Sequence, residues 1–450
     1  MQVAYAGMPL PESVQSALKD AKIAADQLAV SVVSLDNRQT VLQWQDQKTV
    51  LPASSIKIVT TLAALETLGP AFQWETGFYY DGTIKNGILN GQLYFVGGGD
   101  PRYVAEHLWR DVQTLKAHGI RQIHGDIIID RSLFAEGAQT SFDGQSHRPY
   151  NLGADAALIN FNSVVIRFIP DDTKGVAHLF ALPLQKGLQL PKTIPLASGW
   201  CSGWRTQLKA NVNDPLRPTF KGTFVKGCGE RSFTYVVKDR DAFLKRTFAA
   251  QLQEVGVLWK GTVRSAQKPK NVKPLFVSHS DDLATIVRLT NKYSNNILAR
   301  HLFLSLALPQ KTSSIDYSDA RAVIGQWLQN RVGLDAKDVY VDNGSGLSRE
   351  STVTAKAMTD VLDYGYRSPY AHEWIASFPI AGVDGTMKAR SLKKGSAHIK
   401  TGLISGAKTI AGIVQTHSGQ RMAIFASLQG QNVANGNAVL DALIEWTASQ

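Results

Sequence analysis

The stretch Leu51-Pro52-Ala53-Ser54-Ser55-Ile56-Lys57 is the part of the sequence from which the fold is best inferred. A hairpin pattern precedes it, and an apolar helical pattern runs from Ser54 until Gly69-Pro70. Residues three apart share a helix face, so Ser54 and Lys57 are predicted to lie about one turn from each other. Burial among apolar neighbours would lower the pKa of Lys57, which would let the amine activate the serine.

The Ser-x-x-Lys spacing carries little information alone, because it occurs five times in the chain. The other four pairs are Ser16/Lys19, Ser265/Lys268, Ser391/Lys394 and Ser405/Lys408. On this pattern alone, Ser54 is better interpreted as an ordinary helix N-cap. Other parts of the sequence must therefore decide between a nucleophile and a cap.

Two further short patterns follow in the second half of the chain. Ser294-Asn295-Asn296 stands between predicted helices at 284–289 and 297–308, where its side chains either cap a helix or point into a cleft. Lys400-Thr401-Gly402 lies on a predicted strand, where a glycine lets a substrate backbone approach closely. The order of the three patterns along the chain is more specific than any one of them.

The ordered set resembles the active-site motifs of serine β-lactamases and penicillin-binding proteins. The chain most resembles the S13 peptidase family, low-molecular-mass penicillin-binding proteins of the penicillin-binding protein 4 type that act as D-alanyl-D-alanine carboxypeptidases and endopeptidases. The resemblance covers nearly the whole chain. It extends to Gly97-Gly98-Gly99-Asp100-Pro101, Asp342-Asn343-Gly344-Ser345-Gly346-Leu347-Ser348-Arg349 and Ala381-Gly382-Val383-Asp384-Gly385-Thr386.

The resemblance implies a role for each motif residue. It makes Ser54 the acylated nucleophile, Lys57 its general base and Ser294 a proton relay. The implied substrate-binding residues are Asn296, Lys400, Thr401, Gly402, Leu403 and Arg349, with the backbone N–H groups of Ser54 and Leu403 as the oxyanion hole. Leu403 departs from the Thr or Ser that is common in the family, which predicts the loss of one hydroxyl contact to the substrate carboxylate. Arg349 and Asp384 are interpreted equally well as substrate contacts or as loop scaffolding.

The expected fold class is α/β (α+β), with a transpeptidase/β-lactamase-like domain in which helices flank an antiparallel sheet. The long interval between Ser54 and Ser294 implies that β-rich domains interrupt it. We expect the first domain at 1–74 and 275–450, an inserted domain at 75–159 and 233–274, and a smaller nested domain at 160–232. An amphipathic helix is expected at 12–27.

The predicted function is that of a serine DD-peptidase on peptidoglycan stem peptides, which cleaves D-Ala-D-Ala ends, D-amino-acid cross-links or both through an acyl-enzyme. β-Lactams are the expected covalent inhibitors. Two alternatives stay open: a β-lactamase or esterase on the same scaffold, and a non-catalytic murein-binding protein. The sequence decides neither the preference between carboxypeptidase and endopeptidase activity nor the oligomeric state.

Composition limits the partners. Lys and Arg number 48 against 37 Asp and Glu, a net charge of +11 that suits peptidoglycan or peripheral association with an anionic membrane surface. Only 19% of residues are charged and the basic residues are dispersed, which argues against nucleic acid. No cofactor is expected. No metal site is expected either, because His372-Glu373 lacks the second histidine of a zinc-protease helix.

Two observations point to an exported protein. Cys201 and Cys228 lie close in sequence, which favours one disulfide over two reduced thiols. A metal site is not favoured, because neither a second cysteine pair nor a spaced histidine pair accompanies them. Ala4-Tyr5-Ala6 fits the small-residue pattern at a signal-peptidase site, with the rest of the signal peptide mostly absent from this chain. We therefore expect a periplasmic or cell-envelope protein.

Overall fold

The structure is a computed structural model that describes residues 8–135, 142 and 151–450. The predicted signal-peptidase pattern at 4–6 lies outside the described residues. Within them, no helix combines the length and the apolar character that crossing a bilayer requires.

The described residues fold into helices and strands numbered here in chain order. The helices are α1 (Glu12–Asp20), α2 (Lys57–Leu68), α3 (Ala105–Ala117), α4 (Trp204–Gln207), α5 (Arg240–Glu254), α6 (Leu283–Lys292), α7 (Asn296–Ser305), α8 (Tyr317–Trp327), α9 (Ala355–Tyr366), α10 (Ala371–Ala376) and α11 (Asn437–Ala448). The strands are β1 (Leu28–Ser34), β2 (Thr40–Trp44), β3 (Glu75–Tyr80), β4 (Thr83–Lys85), β5 (Ile88–Asn90), β6 (Leu93–Val96), β7 (Gln122–Ile123), β8 (Ile127–Asp130), β9 (Ser163–Asp171), β10 (Val176–Leu182), β11 (Thr193–Ala197), β12 (Ala210–Asn211), β13 (Thr219–Phe220), β14 (Phe224–Val225), β15 (Arg231–Val236), β16 (Leu258–Trp259), β17 (Val263–Ser265), β18 (Lys273–His279), β19 (Val339–Tyr340), β20 (Thr352–Val353), β21 (Ala397–Ile404), β22 (Ala407–Gln415) and β23 (Arg421–Gln429).

The chain divides into two compact units, the first formed by the described residues within 8–73 and 281–450 together with residue 135. Its centre is a five-stranded antiparallel sheet in the order β2-β1-β23-β22-β21. Strands β22 and β23 are buried along most of their length because helices cover both faces of the sheet. Helices α1 and α11 pack on one face, and α9 lies on the other, where the hydroxyls of Ser31 and Thr359 are 2.9 Å apart.

Helix α2 is the central helix of the first unit. All its residues from Lys57 to Leu65 are buried, since α6, α7, α8 and α10 surround it. A helix that is apolar on nearly all sides belongs in a core, and the sequence of α2 fits that position. This burial places Lys57, at the first residue of the helix, in an apolar environment.

The second unit comprises the described residues within 74–134 and 138–280. It contains the sheets β17-β8-β6-β3-β18, β16-β7-β5-β4 and β14-β11-β10-β9-β15, together with α3 and α5, which contact each other. Cys201 and Cys228 are joined in a disulfide with their Cα atoms 5.4 Å apart, as predicted. The inserted part of the chain is rich in β-strands, as expected.

The mixed fold with a helix-flanked antiparallel sheet is the predicted one, but two details differ or stay open. The helix expected at 12–27 is wrong in extent, because α1 ends at Asp20 and Lys22 adopts a left-handed φ of 55° that turns the chain. The proposed split of the inserted part into 75–159 with 233–274 and a nested 160–232 stays a prediction.

Candidate active site

Ser54 and Lys57 lie at the turn that leads into α2. A single 3-10 turn, Ala53–Ile56, carries the serine, and Lys57 begins the α-helix. The Lys57 Nζ atom is 2.9 Å from the Ser54 Oγ atom, and the lysine side chain is fully buried. The structure therefore brings together the serine and amine that the sequence analysis paired.

Lys57 has two further partners that can only accept hydrogen bonds at the contacting atom. Its Nζ atom donates to the Asn296 Oδ1 atom at 2.8 Å and to the backbone carbonyl of Ser345. Burial is the main cause that lowers the pKa of Lys57 well below its usual value, and the positive charges of Lys400 and Arg300 lower it further. A neutral amine held in this way donates to the two carbonyl oxygens and directs its lone pair at Ser54.

Ser294 and Asn296 stand at the junction between α6 and α7. The Asn295 side chain caps α7 by accepting from the backbone N–H groups of Ile297 at 2.9 Å and Leu298 at 3.2 Å. The capping alternative therefore applies to Asn295, whereas its two neighbours contact the buried lysines. Ser294 has a φ of 54°, a left-handed conformation that is unfavourable for a serine and is often retained at functional sites.

Lys400 lies on β21 and faces the same cluster. Its Nζ atom donates to the Ser294 Oγ atom at 2.9 Å and also contacts the Thr401 carbonyl. Burial lowers the pKa of Lys400 to about 7, so the amine changes charge near neutral pH. The Thr401 hydroxyl donates to the Thr386 hydroxyl at 2.8 Å, in the motif at 381–386.

Gly402 and Leu403 follow on the same strand, with different surroundings. A Cβ atom on Gly402 would lie 2.3 Å from the Thr409 Oγ1 atom and 2.9 Å from the Ser54 backbone nitrogen, so β21 approaches the Ser54 turn as only glycine allows. The Leu403 side chain is 62% exposed. In β21, the backbone N–H groups of alternate residues point to the same edge of the strand. The Ile399 N–H donates outward to the Pro379 carbonyl, so the Leu403 N–H points to that same edge.

The loop 342–349 packs against the Ser54 turn, because Gly346 meets the Ala53 carbonyl too closely for a Cβ atom to fit. Asn343 orders it by accepting from the Ser345 backbone N–H at 3.0 Å and from the Ser345 hydroxyl at 2.8 Å. Arg349, predicted from the family resemblance to contact substrate, donates to the Ser405 carbonyl at 2.6 Å and so contacts the turn after β21. The carbonyl of Ser345 and the hydroxyl of Thr386 are contacts that the sequence analysis did not assign to the site.

The arrangement suits acyl transfer. A hydroxyl stands beside a buried amine with a lowered pKa, a second hydroxyl contacts a second buried amine, and strand β21 approaches the Ser54 backbone nitrogen closely at Gly402. These are the parts of a site that splits an acyl transfer into two steps through a serine ester. Across the described residues, no group of three or more His, Cys, Asp or Glu side chains is placed to hold a metal ion.

The fold and site define a serine acyl-transfer enzyme with a transpeptidase-like domain and an inserted β-rich part. The profile described as the D-Ala-D-Ala carboxypeptidase 3 (S13) family matches residues 10–450, and the chain belongs to that family. The predicted family, fold class and serine-peptidase class are thereby confirmed.

Individual relatives agree with this assignment. The chain is 26% identical over 415 residues to "D-alanyl-D-alanine carboxypeptidase DacB" of Haemophilus influenzae, covering 89% of this chain and 85% of the relative. It is 26% identical over 435 residues to a D-alanyl-D-alanine carboxypeptidase of Actinomadura sp. strain R39, covering 91% and 79%. A crystal structure of penicillin binding protein 4 from H. influenzae matches the fold with a TM-score of 0.76 at 24% identity, over 98% of this chain and 100% of that chain. A structure of the same protein with a β-lactam gives a TM-score of 0.73 at 24% identity, with the same coverage.

Proposed function

We propose that this protein hydrolyses peptidoglycan stem peptides at D-Ala-D-Ala ends, D-amino-acid cross-links or both, through an acyl-enzyme on Ser54. The observation that carries the proposal is the pairing of two hydroxyls with two fully buried lysines, Lys57 with Ser54 and Lys400 with Ser294, each pair at 2.9 Å. Peptide hydrolysis needs one proton taken from the nucleophile and one given to the leaving amine. Two separate hydroxyl–amine pairs can do both.

In the first step, neutral Lys57 accepts the Ser54 hydroxyl proton as the Oγ atom attacks the scissile carbonyl carbon. The carbonyl acceptors on Asn296 and Ser345 support this role, because they hold the amine with its lone pair towards the serine. The lowered pKa of Lys57 increases the fraction of neutral amine that can accept the proton. Lys57 is thus proposed as the general base.

The charge that develops on the carbonyl oxygen needs donors that are already in place. The backbone N–H groups of Ser54 and Leu403 are the proposed oxyanion hole, which the close approach at Gly402 supports. A terminal D-alanine carries a carboxylate, and Lys400 and Thr401 offer a cation and a hydroxyl to bind it. Arg349 remains a predicted substrate contact next to this strand.

Ser294 is the proposed relay to the leaving amine. Its hydroxyl donates a proton to the departing nitrogen as the C–N bond breaks, and Lys400 at 2.9 Å replaces that proton. A pKa of about 7 suits Lys400 to this exchange, because it carries a proton near neutral pH yet releases it readily. Water then attacks the Ser54 ester and gives one proton through Ser294 to Lys400, while Lys57 returns its proton to the Ser54 Oγ atom. The C–O bond of the ester breaks, the shortened peptide leaves with a new carboxyl group, and both lysines regain their starting states.

β-Lactams are proposed as covalent inhibitors of the same serine, since the related penicillin binding protein 4 of H. influenzae has a crystal structure in complex with a β-lactam. We further propose that the protein works in the periplasm or cell envelope. The disulfide Cys201–Cys228 supports this, because such bonds persist in oxidising compartments. The net charge of +11 supports an anionic polymer as neighbour and permits peripheral membrane association.

Penicillin labelling with a parallel peptide assay tests the proposal. Fluorescent penicillin should give a durable adduct that mass spectrometry places on the Ser54 peptide, and a pentapeptide ending in D-Ala-D-Ala should release D-alanine. Ser54→Ala should lose both, whereas Ser16→Ala, in the exposed Ser16/Lys19 pair, should keep both. Rapid turnover of the penicillin would instead indicate a β-lactamase, and neither adduct nor D-alanine release would indicate a non-catalytic protein.

A further inference from the structure

An ion pair formed by Lys292, two residues before Ser294, has no part in the proposed proton transfers. Lys292, the last residue of α6, is almost fully buried, and its Nζ atom lies 2.7 Å from the Asp384 Oδ2 atom. The same Nζ atom donates to the Phe378 carbonyl at 2.6 Å. A buried ammonium is tolerated only with such partners, so this contact is tightly specified.

Asp384 connects the pair to its own loop. Its Oδ1 atom accepts from the Ile380 backbone N–H at 2.8 Å. Burial alone would raise the pKa of Asp384, but the bonds from Lys292 and from Ile380 outweigh it and lower the pKa overall. The next residue, Gly385, has a φ of 54°, and a Cβ atom there would lie 2.5 Å from the Lys292 carbonyl. The loop therefore packs directly on the end of α6.

The same loop is bound to the strand that carries Lys400. The Ala381 N–H donates to the Ala397 carbonyl at 2.9 Å, and the Ile399 N–H donates to the Pro379 carbonyl at 2.8 Å. Residues 379–384 thus form a bridge whose one end pairs with β21 and whose other end accepts from Lys292. The turn that holds Ser294 and the strand that holds Lys400 are connected through it.

We infer that the Lys292–Asp384 ion pair positions Ser294 opposite Lys400. Lys292 and Asp384 are therefore positioning residues for the proton relay. Ser294 needs such support because its left-handed backbone is unfavourable unless neighbouring contacts hold it. Lys292 is two residues away and is held on the bridge, so the turn between them has little freedom to move. This inference rests on the proposed role of Ser294.

Penicillin kinetics separate positioning from folding. Asp384→Asn should slow the first-order acylation step at least tenfold, while the dissociation constant of the initial non-covalent complex changes less than threefold. It should also lower the melting temperature, because Lys292 is left buried beside a neutral amide. Asp441→Asn, which breaks the Arg390–Asp441 pair at 2.5 Å, is the matched control and should lower the melting temperature with unchanged acylation.

The double variant Lys292→Met/Asp384→Asn gives the decisive result. It removes the buried charge, so the melting temperature should recover, but it leaves the turn unattached, so acylation should stay at least tenfold slow. Recovery of acylation together with the melting temperature would show a purely structural pair and would overturn the inference. If Asp384→Asn does not fold, the double variant alone decides.

Ser294→Ala, measured in parallel, distinguishes the two ways of failing. If Ser294→Ala acylates at the wild-type rate, the proposed relay is wrong and the positioning inference falls with it. If Ser294→Ala is slow while Asp384→Asn and the double variant are fast, the relay stands and only the inference about Lys292 and Asp384 is overturned. Slow acylation in all three, with the melting temperature recovered in the double variant, is the expected result.

Discussion

Gly402 lies directly against Ser54: a Cβ atom built on Gly402 would come within 2.9 Å of the Ser54 backbone nitrogen. That nitrogen is one of the two proposed oxyanion donors. The alpha hydrogen of glycine is therefore the largest substituent that leaves the donor free to meet a substrate.

Gly402→Ala should slow acylation by penicillin at least tenfold, because the methyl group must displace either the Ser54 turn or Thr409. The rate of labelling by fluorescent penicillin measures the effect. Gly325→Ala in α8 is the control, since a Cβ atom there meets nothing within 4 Å. It should keep the acylation rate and raise stability by up to about 1 kcal/mol. Wild-type acylation by Gly402→Ala would contradict the close approach.

Lys57→Ala should reduce the acylation rate by about 10²-fold or more, as expected when a general base is lost. Circular dichroism should verify that the variant is folded before the labelling rate is compared. Lys19→Ala removes the lysine of another Ser-x-x-Lys pair, on the exposed side of α1, and should acylate normally. If the two variants acylate equally fast, Lys57 is not the base.

The lowered pKa of Lys400 predicts that the stability of the fold depends on pH. This pKa falls from an ordinary 10.5 to about 7 on folding, so between these values the unfolded chain binds more protons than the folded one. Stability should therefore rise with pH across this window and be lost as pH falls towards 7. Denaturant unfolding should be measured at pH 7, 8 and 9. The free energy of unfolding of the wild type, relative to that of Lys400→Met, should increase by up to about 1.4 kcal/mol per pH unit. A difference that does not change with pH would show that Lys400 keeps its ordinary pKa.

Leu403→Thr should lower the KM for a peptide ending in D-Ala-D-Ala about tenfold, because it adds a hydroxyl that can bond the terminal carboxylate. Hydrogen bonds to charged groups contribute roughly 1.5–3 kcal/mol, and the lower end applies to a side chain as exposed as this one. Leu403→Val has nearly the shape of threonine without the hydroxyl and is the matched control. Equal KM values for the two variants would show that this position does not contact the carboxylate.

The disulfide should stabilise the second unit without affecting acylation. Its cysteines are 27 residues apart, and closing such a loop contributes about 3.5 kcal/mol in the chain-entropy account. The Cys201→Ser/Cys228→Ser variant should therefore unfold at lower temperature in calorimetry, while penicillin labelling of Ser54 below that temperature stays normal. Slower labelling in the folded double variant would contradict this independence.

The sequence predicted those parts of the fold and of the site whose structure is specified by local sequence patterns. The start of α2, its end at Gly69 and the hairpin of β1 and β2 all follow from apolar periodicity and turn residues. The Ser345 carbonyl that holds Lys57 has no such signal, because every residue carries a carbonyl and only the tertiary fold selects one 288 residues away. The Lys292–Asp384 contact joins residues 92 apart and was likewise inaccessible to spacing rules.

Strand β21 is the last strand of its sheet among the described residues, and unpaired edges invite other strands to add and start aggregation. Here residues 379–381 already pair with the first half of that edge, and the Thr401 carbonyl accepts from Lys400. The backbone N–H of Thr401 and the backbone groups of Leu403 are what remains. That is shorter than the five or six residues of an ordinary strand. The open part of the edge therefore offers another copy of this chain too few backbone groups for strand-by-strand association, and it lies beside the proposed oxyanion hole.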